Sequence, residues 1–107
     1  MGWPSIPTAA LAAQGCCNPE FGYSVAVFGD TAVVGANSAN SQAGEAYIYA
    51  KGSSGWPTTP TAILADPAAT VLDYFGNALA VSGHSALVGA SGTGEGTAYI
   101  FRSAPGG

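Results

Sequence analysis

The sequence predicts an all-β fold that is built from two copies of one unit. The first observation is an internal repeat, because the segment 21–36, which begins with Phe-Gly and ends with Val-Val-Gly-Ala, recurs without a gap at 75–90. The second is that each block of the repeat is a short run of β-branched, aromatic and small residues bounded by glycine, serine or asparagine, which is typical of short strands. The third is that no stretch keeps a helical period of apolar residues.

Each unit contains four predicted strands in a fixed order. Residues 24–27 form the innermost strand and 31–36 the second, because the tight turn Phe28-Gly29-Asp30 separates them. The third strand is 46–49, which alternates aromatic and aliphatic side chains. The outer strand lies in the block 55–65, where the prolines suit the edge of a sheet.

The remaining blocks recur in the same way. The block 44–49 has its counterpart at 96–101, and the outer-strand block 55–65 has its counterpart at 2–12. A repeated four-stranded antiparallel unit of about 50 residues is typical of a β-propeller blade. A β-sandwich is the alternative all-β fold, but it does not explain a repeat this close.

The order of the blocks predicts one two-bladed unit, residues 1–107, that does not close a ring alone. Residues 1–20 are expected to hold a loop and an outer strand that completes a neighbouring chain's blade. Residues 21–66 form a complete blade, and 67–107 supply a connecting loop and three strands of the second blade. Because propellers need about four to eight blades, we expect chains to associate head to tail. A six-bladed trimer is preferred by analogy with two-bladed lectin chains, with an eight-bladed tetramer or a fragment of a longer array as alternatives.

The repeated motifs resemble FG-GAP repeats. Phe21-Gly22 is followed by Val34-Gly35-Ala36, and Phe75-Gly76 is followed by Val88-Gly89-Ala90. FG-GAP repeats are the blades of integrin α-subunit heads and of many bacterial surface and secreted proteins, so the resemblance implies an extracellular or cell-surface propeller. It also implies a non-enzymatic binding or interaction module, and a carbohydrate-binding lectin with sites between blades is the alternative. The sequence itself begins with no signal-peptide pattern.

Composition and charge narrow the class of partner. Only 7% of the residues are charged, the formal net charge is −4, and the two basic residues are Lys51 and Arg102. Nucleic acids and anionic membrane surfaces need clustered Lys and Arg, so neither is expected as a partner. No apolar run approaches the length that spans a bilayer. The low charge agrees with a surface that faces other blades and other chains, which makes the chain itself the expected partner.

No metal site, cofactor site or catalytic residue is predicted. Calcium-binding FG-GAP members carry an Asp-rich loop between the first two strands, but this chain has only Asp30 in one copy and His84 in the other. Calcium takes about six to eight oxygen ligands, so neither turn suffices. The exchange of His84 for Asp30 between copies favours an exposed turn residue over a catalytic base. The adjacent pair Cys16-Cys17 forms no disulfide framework.

The loops between the second and third strands differ between the copies and are the candidate ligand-binding loops. Variable polar loops of this kind are where binding sites are commonly placed on a scaffold, although ordinary connections are the alternative. Their candidate residues for a protein or glycan ligand are Asn37, Asn40, Gln42 and Glu45 in the first copy and Ser91, Thr93 and Glu95 in the second.

The aromatic residues are expected to stabilise the fold. Tyr47 and Tyr49 in the first copy match Tyr99 and Phe101 in the second, which indicates packing within or between blades. Trp56, like its counterpart near the N-terminus, offers either a surface for a sugar ring or outer-strand packing, and its repetition favours packing.

Overall fold

The computed structural model describes residues 4–12, 21–37, 44–65, 74–91 and 96–103. All regular secondary structure in these ranges is β-strand, as predicted. The strands are β1 (Phe21–Phe28), β2 (Thr31–Ala36), β3 (Glu45–Ala50), β4 (Ala62–Ala65), β5 (Phe75–Ser82), β6 (Ser85–Ala90) and β7 (Thr97–Arg102). They form two antiparallel sheets, a four-stranded one in the order β1-β2-β3-β4 and a three-stranded one in the order β5-β6-β7.

The inner hairpin has the same register in both sheets. The β1–β2 ladder shifts between Phe21 and Ser24, and the β5–β6 ladder shifts between Phe75 and Ala78. The inner strand is therefore longer than the predicted 24–27, because it begins at the Phe-Gly pair and continues through a bulge. The predicted tight turn between the first two strands is confirmed.

The third strand is fastened to that turn at the same place in each sheet. The amide of Lys51 donates a hydrogen bond to the carbonyl oxygen of Asp30 at 2.8 Å. The amide of Ser103 makes the equivalent 2.8 Å bond to the carbonyl oxygen of His84. The repeat therefore extends to backbone hydrogen bonds outside the regular ladders, even though the side chains at these four positions differ.

The outer strand β4 is short and begins later than the block that predicted it. Pairing runs from Ile48 opposite Ala62 to Glu45 opposite Ala65, and the amide of Thr61 adds a 2.7 Å bond to the carbonyl oxygen of Ile48. Proline lacks an amide hydrogen and cannot donate to the ladder, so the preceding Pro-rich block forms bends and irregular backbone. The half-buried Trp56 lies in that block.

The N-terminal counterpart of β4 is not a strand within the single chain. Residues 4–12 form bends and non-strand backbone, with Ile6 74% exposed and Leu11 half-buried. In the three-stranded sheet β7 is an edge strand. Whether residues 1–20 complete a neighbour's blade stays a prediction, and residues 1–3 and 13–20 lie outside the described ranges.

The core lies between the two sheets. Its fully buried side chains are Val33 and Ala46 from the first sheet and Phe75, Val88 and Ala90 from the second. Partly buried apolar side chains from both sheets pack around this cluster, namely Ile48, Leu64, Leu79, Val81, Tyr99 and Phe101. The two sheets are thus packed on one shared apolar layer, which is the arrangement expected of neighbouring blades.

The phenylalanine of each Phe-Gly pair packs on the aromatic pair of the third strand. The ring centroid of Phe21 lies 5.6 Å from that of Tyr47 and 6.4 Å from that of Tyr49. The ring of Phe75 lies 5.8 Å from both Tyr99 and Phe101. The predicted packing role of these aromatics is confirmed.

Candidate functional site

The two sheets meet at a joint made by the repeat motifs themselves. The hydroxyl of Ser24 on β1 donates a 2.7 Å hydrogen bond to the carbonyl oxygen of Gly76 on β5. Gly44, just before β3, pairs with Phe75 through an isolated parallel bridge. The Phe-Gly pair of the second sheet therefore contacts the Gly-Ala end of the first sheet directly, backbone against backbone.

Glycine is required at this joint because no side chain fits between the backbones. A Cβ added at Gly35 would overlap the carbonyl oxygen of Gly76, and one added at Gly44 would overlap the backbone of Phe75. Gly76 has a φ of +95°, and a Cβ there would lie 2.6 Å from the carbonyl oxygen of Glu45. These glycines are therefore needed because the backbones of the two sheets touch at the joint.

The equivalent glycines at the two outer faces are open. Gly22 and Gly96 have nearly the same positive φ as their counterparts, yet a Cβ added at either would meet no atom of the described residues within 4 Å. A Cβ at Gly89 would have its nearest neighbour at 3.5 Å, which is ordinary van der Waals contact. Each sheet therefore has one face with the glycines that form the joint elsewhere in the chain, but with no sheet packed against them.

The exposed face of β1 matches the face of β5 that is already packed. Val25 and Val27 are both 67% exposed, whereas Leu79 and Val81, at the same positions of the repeat, pack against the core between the sheets. The residue types are similar, so the difference in burial follows from the presence of a neighbouring sheet. The exposed face of β1 therefore carries the same kind of aliphatic side chains that β5 packs into the joint.

The exposed face of the second sheet matches the packed face of the first. Leu87 is 43% exposed where Val33 of the first repeat is fully buried, and Ile100 is 75% exposed where Ile48 is half-buried. Such apolar exposure on a strand face is unusual for an isolated domain. Each open face therefore corresponds, by its place in the repeat, to one side of the joint within the chain.

The candidate loop residues fall into three different environments. Asn37 follows β2 and is 6% exposed, and its side-chain carbonyl oxygen has no hydrogen-bond partner among the described residues. Ser91 follows β6, is exposed, and accepts a hydrogen bond from the side-chain amide of Asn77. Glu45 begins β3 and is half-buried. Asn37 and Glu45 lie at the same end of the β2–β3 ladder, because Ala36 pairs with Glu45. Asn40, Gln42, Thr93 and Glu95 lie outside the described residues.

Glu45 and Tyr47 form a pair on the first sheet. The phenol of Tyr47 donates a 2.7 Å hydrogen bond to Oε1 of Glu45. Burial, followed by this bond and by the charge of Glu45, raises the pKa of Tyr47 well above its ordinary value. Burial also raises the pKa of Tyr49. The carboxylate of Glu45 is thus engaged by its own strand, which is a structural role for one predicted loop residue.

A cleft of about 450 Å³ lies between the two sheets at the end that carries the β1–β2 and β5–β6 turns. Its lining is mostly apolar. The larger apolar residues are Val33, Ile48 and Leu64 from the first sheet and Val81, Ala86 and Phe101 from the second. The volume is within the range of about 300 to 1,000 Å³ that is usual for small-molecule sites.

The end of the cleft near the turns includes polar residues that the sequence analysis did not select as binding residues. Ser103, just after β7, and His84, in the β5–β6 turn, lie there. Arg102 also borders this end, but the β6–β7 register puts its side chain on the open face of the second sheet with Ile100. His84 is exposed, as predicted for a turn residue, and its Nδ1 lies 3.2 Å from the hydroxyl oxygen of Ser103. A signal was present in the sequence, because these positions change in charge between two otherwise similar repeats.

The sheets and their joint define a pair of β-propeller-type blades. The FG-GAP repeat family matches the chain twice, at residues 10–49 and 59–101. The chain belongs to the FG-GAP repeat family, and the resemblance inferred from its Phe-Gly and Gly-Ala motifs is confirmed. A search of the curated proteins found no significant match.

The described residues contain no helix that is long and apolar enough to cross a membrane. Across residues 4–12, 21–37, 44–65, 74–91 and 96–103 no group of three or more His, Cys, Asp and Glu residues is arranged to hold a metal ion. The pair Cys16-Cys17 lies outside these ranges.

Proposed function

We propose that the chain is a non-enzymatic binding module that assembles head to tail with copies of itself into a closed propeller. The observation that carries this proposal is the pair of open, complementary faces, each equivalent to one side of the joint that is filled within the chain. One face belongs to β1 and the other to the β5-β6-β7 sheet, so the contact between chains is heterologous. Repetition of a heterologous contact closes a ring when the rotation from one copy to the next divides a full turn.

The joint within the chain supplies the geometry of the proposed contact between chains. Phe21-Gly22 of one copy would occupy, against Gly89 and Gly96 of the next, the position that Phe75-Gly76 occupies against Gly35 and Gly44. The contact would cover Val25 and Val27 of one copy with Leu87 and Ile100 of the other. Burial of exposed aliphatic side chains is the driving force expected for such an association.

The N-terminal segment supplies the proposed fourth strand for the second sheet. Residues 7–12 match the segment 60–65, which contains β4 and its hydrogen-bonding Thr61. In the register of β4, Leu11 would lie opposite Ala98 and Ala9 opposite Ile100 of the neighbouring chain. This strand would reduce the exposure of Ile100 and extend the edge of β7.

We prefer a trimer of six blades, with a tetramer of eight blades as the alternative. A longer chain with flanking repeats would fill the same faces from within one molecule.

By its family, the assembled propeller would act at a cell surface or outside the cell and present its loops to a protein ligand. The cleft between the sheets favours a lectin as the second candidate, and a glycan array screened with the assembled protein tests it.

The matched pair Gly35→Ala and Gly89→Ala tests the assembly. Neither glycine has a positive φ, so both substitutions carry the same small backbone effect. Gly35→Ala is expected to destabilise each chain, because its Cβ overlaps the neighbouring sheet. Gly89→Ala is expected to leave the chain folded and to lower its mass in light scattering to that of a monomer. Retention of the assembly by folded Gly89→Ala would contradict the proposed contact.

A further inference from the structure

We propose that an ion pair between Arg102 of one copy and Asp30 of the next makes the head-to-tail contact specific. This inference rests on the proposed assembly, and it names the two side chains that select one alignment of the copies. The partner at this surface is therefore a second copy of the same chain, recognised by opposite charge at one end of its open face.

Arg102 lies on the open face of the second sheet. In the β6–β7 ladder Ser85 pairs with Arg102, and Leu87 pairs with Ile100. Residues that pair across strands lie on one face, and so do alternate residues along a strand. Arg102 therefore shares its face with the exposed side chains of Leu87 and Ile100, and it is itself exposed. It is the only charged residue in β5, β6 and β7.

The equivalent of Arg102 in the first repeat shows which part of the next sheet this position faces. That equivalent is Ala50, which lies on the same face as Ile48 because the two alternate along β3. This face packs on the second sheet, and Ala50 and His84 both line the cleft between the sheets. Within the chain, the end of the third strand of one sheet therefore faces the inner turn of the next.

Asp30 has in the first repeat the position that His84 has in the second. Each lies in the tight turn of the inner hairpin, and each carbonyl oxygen accepts a hydrogen bond from the residue that follows the third strand. When the joint is repeated between copies, Arg102 takes the place of Ala50 on one side. Asp30 takes the place of His84 on the other side. An alanine and a histidine within the chain thus correspond to two opposite charges between chains.

The scarcity of charge in this chain makes the match informative. Two Lys or Arg and six Asp or Glu residues are present among 107, yet one of each sign falls on the two positions that would meet. Within the described residues, neither Arg102 nor Asp30 forms an ion pair inside the single chain. Both charges are therefore available to another copy.

Burial of the open face requires a partner for Arg102. The proposed contact covers Leu87 and Ile100, and a guanidinium on the same face loses water with them. A charge that is desolvated without a partner is strongly unfavourable, whereas a guanidinium beside a carboxylate makes charge-assisted hydrogen bonds. An alignment of the copies that leaves Asp30 away from Arg102 is therefore disfavoured.

Lys51 lies close to Asp30 along the sheet and limits the strength of the pair. The amide of Lys51 donates to the carbonyl oxygen of Asp30, so a second cation belongs to the same end of the same copy. Ion pairs that keep contact with water contribute little to affinity, and a neighbouring cation lowers that contribution further. The pair is therefore expected to act chiefly on the alignment of the copies.

A charge-reversal cycle in the intact 107-residue protein tests the pair. Dissociation of the assembly is measured by light scattering over a dilution series at low ionic strength, where exposed charges are least screened. Asp30→Lys places two lysines opposite Arg102 and should weaken association about tenfold. Arg102→Glu faces Lys51 as well as Asp30, so its loss should be smaller, about threefold. The double variant restores opposite charges and should associate at least as tightly as the unmodified chain.

His84→Lys is the matched control. It introduces the same lysine at the equivalent turn, but that turn faces Ala50 of its own chain, so association should match that of the unmodified chain. Asp30, His84 and Arg102 are exposed in the single chain, and circular dichroism checks that each variant is folded. Asp30→Asn and Arg102→Gln form a second, neutral cycle, in which the double variant should associate no more weakly than Asp30→Asn alone.

Three results would overturn the ion pair. The first two leave the assembly standing, namely a double charge-reversal variant no tighter than Asp30→Lys alone, and equal weakening by Asp30→Lys and His84→Lys. The third is a particle of 10.5 kDa for the unmodified chain at every concentration, which contradicts the assembly and the ion pair together. The expected result is an assembly that Asp30→Lys weakens and the double variant restores.

Discussion

The hydroxyl of Ser24 donates a hydrogen bond to the carbonyl oxygen of Gly76, 2.7 Å away and 52 residues later in the chain. It connects the bulge of one inner strand to the Phe-Gly pair of the next sheet. At the equivalent position of the second sheet the residue is Ala78, which has no hydroxyl. The joint within the chain therefore has one side-chain bond that its proposed counterpart between chains lacks.

Removal of this hydroxyl should weaken the chain without changing its fold. Ser24→Ala leaves a partly buried carbonyl without its side-chain donor, which typically costs about 1 kcal/mol. The free energy of unfolding, measured by urea titration, is expected to fall by that amount. Ser53→Ala, in an exposed turn between β3 and β4, is the control and should have little effect. An equal loss in both variants would contradict a specific role for the Ser24 bond.

Two glycines with the same backbone strain should differ in their tolerance of a side chain. Gly44 and Gly96 have φ values of +95° and +97°, but a Cβ overlaps Phe75 only at Gly44. Gly44→Ala should therefore lower the free energy of unfolding by about 1–3 kcal/mol more than Gly96→Ala, as in overpacked cores. Both changes are introduced into the Gly89→Ala chain, so that assembly does not contribute to the comparison.

The phenylalanines of the two Phe-Gly pairs should also differ. Each phenylalanine contacts two aromatic rings, but Phe75 is fully buried whereas Phe21 is half-buried. Phe75→Leu should therefore lower the melting temperature more than Phe21→Leu in the Gly89→Ala background, by the equivalent of about 1–2 kcal/mol, because only Phe75 leaves an enclosed cavity. Similar losses would show that the first sheet does not cover Phe75 as described.

Stability should decrease in alkaline solution through Tyr47. Its pKa is raised in the folded chain, first by burial and then by Glu45, so the unfolded chain loses the phenol proton first, near the ordinary value of about 10. This contribution is fully present below about pH 10 and is lost as the pH rises through the folded pKa. Tyr47→Phe should reduce the fall in the free energy of unfolding above about pH 10, although Tyr49 contributes in the same direction.

Glu45→Gln separates the causes of that pH dependence. Glutamine keeps an acceptor for the phenol but removes the negative charge, and burial is the largest cause of the shift. Most of the alkaline slope should therefore remain in Glu45→Gln while it is reduced in Tyr47→Phe. If the slope is the same in Tyr47→Phe and in the unmodified chain, Tyr47 is not its source.

The strands and their order were predictable because they depend on local pattern and on the repeat. The apolar pair Val33 and Val34 indicates a buried strand without any knowledge of the neighbouring strands, and Gly29 indicates the turn. The start of β1 at Phe21 was not predictable, since the bulge that includes Gly22 interrupts the alternation on which a strand prediction rests. Thr8 matches Thr61 in the repeat, and the sequence therefore predicts a strand after it. The single chain has no strand there, because the pairing partner would have to come from another sheet.

The joint and the cleft were harder to predict because they form between segments about 30 to 50 residues apart. In the sequence Gly35 looks like an ordinary strand residue and Gly44 like an ordinary loop residue. Their role becomes visible only when the backbone of Gly76 is placed beside Gly35 and that of Phe75 beside Gly44. The loop prediction rested on variability alone, and for Glu45 the structure shows a bond to Tyr47 in place of an exposed loop position.

The central claim is that the open face of β1 in one chain packs on the open face of the second sheet in another. The most direct test is the mass of the unmodified chain by light scattering across a range of concentrations. The account predicts a discrete assembly, with three times the 10.5 kDa mass of the chain preferred and four times as the alternative. A monodisperse particle of 10.5 kDa at every concentration would contradict it.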